Sequence, residues 1–163
     1  MISSDPNQGG EVIFEAATGS LDRFTTIFGA AIVTVKGITF RNFYPHEPPP
    51  PDDPGGGEFP FEGSVFKLWY STLNVENVIF ENNKGYSGSV IFADYSQVNI
   101  RNTIFRNNET LWEGSVIWMS HGRLALESAS FQSNRLPEGS TAILSLDATE
   151  FTCVDTSPSC ALL

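Results

Sequence analysis

The side chains in this sequence that could perform chemistry are a few carboxylates and two imidazoles. An enzyme that cleaves an acidic polysaccharide needs an aspartate cluster that binds calcium beside an arginine base, or several aspartates close together for acid and base catalysis. Asp94 has no second carboxylate at a repeating distance, and Asp52 and Asp53 lie among prolines, where rigid ligand geometry is not expected. His46 and His121 have no second ligand at metal spacing and no serine or cysteine nucleophile in register. We therefore predict no enzymatic activity, no metal site and no cofactor.

Length, charge and hydropathy restrict the class of protein. The 163 residues fit one domain, and nine basic against 19 acidic residues give a net charge of -10. Binding to nucleic acid or to an anionic membrane surface needs clustered lysines and arginines, so the composition argues against both partners. The sequence has no run of about 18 apolar residues, which argues against membrane insertion, and its first residues lack the pattern of a signal peptide.

One pattern occurs five times along the chain and ends each time in phenylalanine. The five segments are VTVKGITF (33–40), LNVENVIF (73–80), VNIRNTIF (98–105), LALESASF (124–131) and LSLDATEF (144–151). Each begins with apolar and polar residues in alternation, which is the period of a strand with one buried face. Gly-Ser pairs precede four of them at spacings of 25, 26 and 25 residues, at Gly63, Gly88, Gly114 and Gly139. A period of about 25 residues without a helix signal predicts an all-β solenoid of about five coils.

Equivalent residues of neighbouring coils should lie about 4.8 Å apart and form ladders. Two structural ladders are predicted, from phenylalanines and from the asparagines that follow them: Phe80, Phe105 and Phe131, and Asn83, Asn108 and Asn134. The asparagines suit a corner because they tolerate left-handed backbone and bond to their own copies. Charges alternate in sign over the first three coils in two further columns: Lys36, Glu76, Arg101, Glu127 and Asp147, and Arg41, Glu81, Arg106 and Gln132. Opposite charges on neighbouring coils contribute about 0.2–1 kcal/mol per pair.

Asn108 also begins the sequence Asn-Glu-Thr, which is an acceptor site for N-glycosylation. A glycan requires an exposed side chain, whereas the ladder requires a stacked one. We expect the ladder to hold.

Three coils carry FENN, FRNN or FQSN together with GSVF or GSVI. This combination resembles the GGA[ILV] and FxxN repeats of the chlamydial polymorphic membrane proteins, which are right-handed parallel β-helices of the pectin-lyase-like class. The similarity covers about residues 29–151, with Ser-Val in place of Gly-Ala. The resemblance implies a right-handed solenoid and a secreted or surface module, often adhesive, with an extracellular or cell-surface location.

The predicted organisation is a single domain over residues 1–163. It comprises an irregular first coil (10–31), a Pro- and Gly-rich protruding loop (44–62), regular coils (63–151) and a C-terminal tail (152–163). The loop is either a disordered insertion or a docking arm in polyproline II form. In the tail, Cys153 and Cys160 are spaced to close a small disulfide loop, which favours an oxidising compartment. Two unrelated reduced thiols are the alternative.

The strand after each Gly-Ser pair predicts an outer face. If Phe66, Ile91 and Ile117 point inward, alternation turns their neighbours outward. The candidate binding face then comprises Val65, Trp69, Val90, Phe92, Asp94, Val116 and Trp118, beside Lys67 and Ser120. Such an apolar face needs a cover, which is either the N-terminal segment or the Pro-rich loop of the chain itself, or a protein or flat saccharide. A third column at the next turn, Tyr70, Tyr95 and His121, is expected to stack for structural reasons.

Two functions remain open on these observations. The first is a noncatalytic structural or adhesive interaction module, such as a subunit of a larger assembly, that binds a protein partner or a second copy through the outer face. The alternative is a carbohydrate-binding or degenerate polysaccharide-lyase-like module, with Trp69, Phe92, Trp118 and Asp94 along the sugar track.

Overall fold

The described part of the chain consists of β-strands joined by short turns. The computed structural model describes residues 2–3, 12–17, 23–44, 63–111, 115–138 and 143–159. These ranges contain 18 strands and no helix, which confirms the prediction of an all-β chain. None of their elements is a helix that could cross a membrane.

Three long sheets and one short sheet run along the molecule. Sheet C consists of β3 (Thr25–Phe28), β6 (Phe66–Trp69), β10 (Ile91–Asp94), β14 (Ile117–Ser120) and β17 (Leu144–Asp147). Sheet A consists of β1 (Ile2–Ser3), β4 (Ile32–Lys36), β7 (Thr72–Glu76), β11 (Gln97–Arg101), β15 (Arg123–Glu127) and β18 (Glu150–Val154). Sheet B consists of β2 (Val12–Glu15), β5 (Ile38–Arg41), β8 (Ile79–Glu81), β12 (Ile104–Arg106) and β16 (Ser130–Gln132). The short sheet D consists of β9 (Lys84–Gly85) and β13 (Glu109–Thr110).

The chain winds as a parallel β-solenoid. Each turn passes through sheets C, A and B in that order, as β6, β7 and β8 do, and each strand pairs in parallel with its equivalent one turn away. In sheet A, for example, β11 lies between β7 and β15, with Val98 opposite Leu73 and Leu124. The solenoid has about four turns, fewer than the five that the repeat predicts.

The phenylalanines that end the repeat segments form a stack through the core. Phe40, Phe80, Phe105 and Phe131 are opposite one another in sheet B, with ring centroids 5.5, 5.0 and 4.7 Å apart and nearly parallel planes. The first three are fully buried. Phe14 extends the stack below Phe40 at 5.6 Å, a member that the repeat pattern does not reveal because its segment lacks the other repeat residues.

The asparagines behind this stack form a continuous hydrogen-bonded ladder. Asn83 and Asn108 are fully buried. The side-chain amide of Asn108 donates to Phe80 O at 3.0 Å and to Asn134 Oδ1 at 3.0 Å. The Asn134 amide continues the pattern by donating to Phe105 O at 2.9 Å. The ladder therefore gives the buried side-chain amides hydrogen-bond partners in the neighbouring coils.

The last segment of the repeat does not lie in the predicted register. Leu144 is opposite Ile117 in sheet C, and Asp147 is opposite Ser120, so Asp147 is outside the charged column. Phe151 is opposite Leu124 in sheet A and is 36 % exposed, so it is not a member of the stack. Phe151 follows Phe131 by 20 residues, whereas a coil needs 25 or 26, so this segment shares strand alternation but not the repeat length.

Steric crowding explains the glycine of the Gly-Ser pair at the two positions that the structure describes. Gly63 and Gly88 have φ of +63° and +58°. A Cβ atom on either would lie 2.3 Å from a backbone oxygen, that of Phe66 or of Ile91. The pair therefore marks a tight bend into sheet C that only glycine fits.

Only part of each predicted segment lies within the described residues. Residues 12–15 and 25–28 of the first coil pair with β5 and β6. Of the predicted loop 44–62 only Tyr44 lies in the described residues. In the predicted tail, strand β18 continues to Val154 and Ser157 bridges to Ser130, so part of this segment belongs to the solenoid. Cys160 lies outside the described residues, and its pairing with Cys153 stays a prediction.

Candidate interaction surface

Two aromatic side chains and a lysine lie side by side on the outer side of sheet C. Lys67, Phe92 and Trp118 are opposite one another in β6, β10 and β14. The rings of Phe92 and Trp118 stack with centroids 4.3 Å apart and an interplanar angle of 3°. Lys67 Nζ lies 4.2 Å from the ring centroid of Trp69 and 5.7 Å from that of Phe92, within cation–π range. Lys67 and Phe92 are almost fully buried, and Trp69 and Trp118 are half-buried.

The valines of the predicted face do not belong to it. Val65, Val90 and Val116 are fully buried and pack in the hydrophobic core. The expectation that they point outward is wrong, because they precede the strands and lie in the bend after Gly-Ser, where the alternation of a strand does not apply. The outer face of sheet C is therefore narrower than the sequence predicts, and its partly exposed predicted members are Trp69, Asp94 and Trp118.

Asp94, Ser120 and His121 come together at the end of sheet C. His121 Nδ1 lies 2.5 Å from Ser120 Oγ and 3.7 Å from Asp94 Oδ1. Sequence analysis missed this serine because it adjoins the histidine in the chain, and the aspartate because it comes from the preceding coil. Both side chains approach the same ring nitrogen, whereas a catalytic relay needs the nucleophile on one nitrogen and the carboxylate on the other. No cluster of three metal-ligating side chains occurs among the described residues.

Three stacked rings lie at the corner where sheet C leads into sheet A, and we call Tyr70, Tyr95 and His121 the ring column. The Tyr70 and Tyr95 rings are 5.0 Å apart at 13°, and the Tyr95 and His121 rings are 4.7 Å apart at 9°. All three residues have left-handed backbone, with φ of 50°, 48° and 50°. Tyr70 is 62 % exposed, Tyr95 is 47 % exposed, and the His121 side chain is 46 % exposed. The column thus presents three ring edges to solvent at the spacing of the coils.

The ring column ends in open space at the first coil. Phe28 is opposite Trp69, so the next residue, Gly29, occupies the position of Tyr70 in that coil. Its backbone has φ of +74°, and a Cβ atom there would have nothing within 4 Å. Phe28 and Ile32, on either side of this glycine, are 70 % and 75 % exposed. No side chain at this position of the first coil therefore continues the ring column beyond Tyr70 among the described residues.

A groove of about 550 Å³ with a mixed polar and apolar lining lies on the outer side of sheet A. Its floor includes Thr34, Asn74, Asn99 and Thr152. Asn99 Nδ2 donates to Asn74 Oδ1 at 2.9 Å, and Asn74 Nδ2 donates to Thr34 Oγ1 at 3.4 Å, so these amides form a second ladder. Sequence analysis missed the groove, although Asn74 and Asn99 occupy the same place in LNV and VNI.

Ion pairs join neighbouring coils in three columns. Lys36 pairs with Glu76, and Arg101 pairs with Glu127 at 2.8 Å, along one edge of the groove. In the second column Arg41 pairs with Glu15 at 2.7 Å, and Arg106 Nε donates to Glu81 at 2.7 Å. The third column places Glu109 between Lys84, at 3.2 Å, and Arg135, at 3.6 Å, and was not predicted.

Two carboxyl groups in these columns have lowered pKa values. The hydrogen bond and charge of Lys36 lower the pKa of Glu76. Hydrogen bonds from Arg41 and Asn42 lower the pKa of Glu15. Both ion pairs are exposed. Each therefore contributes little to the stability of the contact between neighbouring coils, and salt reduces that contribution.

The net negative charge resides mainly outside the described residues. All nine lysines and arginines, but only ten of the 19 acidic residues, lie in the described ranges. The described residues therefore carry a formal net charge close to zero.

Comparison with known proteins gives no match to a family model, to a curated protein or to a solved structure. The strands themselves establish the architecture, which is a parallel β-solenoid of about four turns.

Proposed function

We propose that the protein is a noncatalytic structural or adhesive interaction module that binds a protein partner through the ring column. The observation that carries the proposal is the stack of Tyr70, Tyr95 and His121, exposed on three consecutive coils. Aromatic rings are enriched in protein interfaces because they present rigid, amphipathic area. Asp94 and the half-buried Trp69 and Trp118 lie beside this column and form the edge of the same surface.

The column is preorganised for binding. Each ring is held by its neighbours at 4.7–5.0 Å, so little side-chain freedom remains to be lost when a partner binds. The exposed Phe28 and Ile32 continue the apolar surface beyond Tyr70. Exposed apolar side chains that lie together mark candidate interaction sites.

The wider proposal is a right-handed solenoid of the pectin-lyase-like class that acts outside the cell or on its surface. A crossover connection between two parallel strands of the same sheet is almost always right-handed. This rule supports a right-handed solenoid. The predicted disulfide between Cys153 and Cys160 supports an oxidising location. The protruding Pro- and Gly-rich loop over residues 44–62 is part of the same proposal.

Sedimentation velocity over a range of concentrations tests the function. We expect the purified chain to associate and the Tyr95→Asn variant to remain monomeric, since asparagine keeps the left-handed backbone but removes the central ring. Phe151→Ser, which removes an exposed ring from sheet A, is the matched control and should associate like the wild type. Equal association of wild type and Tyr95→Asn would contradict the proposal.

A carbohydrate-binding function is the second candidate, and the groove on sheet A favours it. Amide and hydroxyl groups such as those of Asn74, Asn99 and Thr34 are the donors and acceptors that a neutral saccharide needs. A panel of immobilised saccharides would show binding that Asn99→Ala abolishes and Tyr95→Asn preserves. Absence of binding across the panel would leave the protein-binding function as the better account.

A further inference from the structure

We propose that two copies of this chain form a symmetric dimer through the ring column, side by side and with their solenoids parallel. The proposal rests on the proposed function and names the partner of the same surface, which is a second copy. The residues on the two sides of the column carry it, because they complement one another in one orientation of the copies and not in the opposite one.

Each coil contributes one residue to either side of the ring column. The C border consists of the residues that end the strands of sheet C, in coil order Phe28, Trp69, Asp94, Ser120 and Asp147. The A border consists of the residues that begin the strands of sheet A, in coil order Ile32, Thr72, Gln97, Arg123 and Glu150. Strand alternation turns both sets outward, because their neighbours along the chain, such as Leu68 and Leu73, are fully buried.

Arg123 in the A border is a cation that matches the carboxylates of the C border. Asp94 and Asp147 lie on either side of Ser120, in the preceding and the following coil. Arg123 belongs to the same coil as Ser120, is exposed, and makes no ion pair with another described residue. A second arginine placed over Ser120 would lie between two carboxylates, each about one strand spacing of 4.8 Å away along the column.

Two-fold symmetry determines which borders meet. Both copies of a symmetric dimer use the same surface. If the two-fold axis runs parallel to the column, the A border of one copy faces the C border of the other, coil by coil. Arg123 of each copy then faces Ser120 of the other, between Asp94 and Asp147. If the axis is perpendicular to the column and passes through Tyr95, each border faces its own copy in reverse, and the two Asp94 side chains meet.

The first coil favours the same arrangement. Phe28 and Ile32 occupy the C and A borders of this coil and are the two most exposed large apolar side chains in the described residues. The parallel arrangement places Phe28 of each copy against Ile32 of the other, so both lose contact with water. The antiparallel arrangement would instead place them at the end of the partner surface that carries Asp147 and Glu150, which offers them no apolar contact.

One contact of the parallel dimer is unfavourable. Glu150 of each copy faces Asp147 of the other, and the two borders together carry three carboxylates and one arginine per copy. The positions of the charges therefore favour the dimer, whereas their sum opposes it. Asp94→Asn and Glu150→Gln consequently distinguish the two effects. Each removes one negative charge, but the parallel dimer predicts opposite changes in the dissociation constant.

Sedimentation velocity over a range of concentrations measures these changes. We expect Asp94→Asn to weaken dimerisation about tenfold, because the two-fold axis doubles the loss of each ion pair. Glu150→Gln should strengthen it about threefold by removing the like charge that faces Asp147. Arg123→Glu should be monomeric where the wild type is dimeric, with urea unfolding showing that it is folded. If Asp94→Asn and Glu150→Gln both strengthen dimerisation, net charge governs the contact and the parallel arrangement is overturned.

Photo-cross-linking from Tyr70, at one end of the ring column, measures the orientation. Tyr70 is replaced by p-benzoylphenylalanine, and ¹⁵N-labelled and unlabelled copies are mixed before irradiation. The parallel dimer predicts mixed pairs in which the tryptic peptide 68–84 of one copy is joined to 24–36 or 68–84 of the other. Attachment to 107–123 or 136–163 of the second copy would show an antiparallel dimer and overturn the proposal.

The two measurements separate this proposal from the function on which it rests. If Tyr95→Asn abolishes association while Arg123→Glu has no effect, or while the Tyr70 probe reaches residues 107–123, the ring column is an interface and the parallel dimer is wrong. If the wild type is monomeric at every concentration, both proposals are contradicted.

Discussion

Asn83 donates both its backbone N–H and its side-chain amide to one atom, Oδ1 of Asn108 in the next coil, at 3.0 and 3.1 Å. Asn108 repeats this arrangement toward Asn134. The corner of each coil is thus held by the next one, and a coil without that neighbour would lack the acceptor for its asparagine N–H and amide groups. This relationship explains why the chain repeats its asparagine at the coil length.

Removal of one asparagine from the ladder should destabilise the whole solenoid. Asn108→Ala leaves the backbone N–H and the side-chain amide of Asn83 buried without their shared acceptor, and each such loss costs about 1–3 kcal/mol. We expect the free energy of unfolding, measured with urea, to fall by about 3 kcal/mol or more. Asn99→Ala removes one side-chain hydrogen bond on the outer side of sheet A. It should lower the free energy of unfolding by no more than about 1 kcal/mol. Equal effects of the two changes would show that the ladder has no special role.

The acceptor sequence at Asn108 should carry no glycan. Its side chain is fully buried and both amide hydrogens are bonded, so the folded chain offers no nitrogen for modification. When the chain is secreted from a host that performs N-glycosylation, intact mass spectrometry should give the unmodified mass for the folded fraction. A folded, monodisperse fraction with a glycan on Asn108 would contradict the ladder.

The stability of the chain should decrease in acid partly through Glu76. Lys36 holds the pKa of Glu76 below its ordinary value of 4.5, so the folded state favours the carboxylate. That contribution is complete above the ordinary pKa and is lost as the pH falls through the lower pKa of the folded state. Urea unfolding between about pH 7 and pH 3 should show a smaller loss for Glu76→Gln than for the wild type.

Two controls distinguish this ion pair from the effect of net charge. Glu138→Gln removes a charge from an exposed position and should retain the wild-type difference between neutral and acid pH. About 0.5 M salt should reduce that difference in the wild type, because both members of the pair are exposed. An unchanged pH dependence in Glu76→Gln would show that the pair does not couple the coils.

The predicted disulfide should stabilise the last coil. Cys153 lies in β18 and packs against the hydrophobic core. Closing a loop of this length contributes about 2.5 kcal/mol by the chain-entropy estimate. Reduction should therefore lower the midpoint of thermal unfolding, and Cys153→Ser should abolish the effect of the reductant. If the oxidised chain reacts with a thiol reagent at two sites under denaturing conditions, the bond is absent.

The sequence predicts the features that depend on coil length. The Phe80, Phe105 and Phe131 stack, the asparagine positions and the Glu81–Arg106 and Arg101–Glu127 ion pairs follow from spacings of 25 or 26 residues. The assignment of Phe151 fails because alternation alone identifies a strand without fixing which sheet it joins. A count of the residues since Phe131 would have detected the error.

The residues of the interaction surface are harder to predict from the sequence than the coil repeat is. Val65 was misplaced because a bend before a strand does not follow strand alternation. The ring column is visible as Tyr70, Tyr95 and His121, but its exposure depends on which segments cover the corner, and no pattern in the sequence contains that information. The proximity of Ser120 to His121 and Asp94 likewise depends on side-chain direction at a left-handed corner.

Photo-cross-linking from the centre of the ring column tests the account most directly. Tyr95 is replaced by p-benzoylphenylalanine, and ¹⁵N-labelled and unlabelled copies are mixed before irradiation. We predict cross-linked pairs of mixed isotopic composition, in which the tryptic peptide 85–101 of one copy, which carries the photoreactive residue, is joined to a second copy. The same photoreactive residue at Phe151 should not yield this pair. Cross-links confined to single molecules would contradict the account.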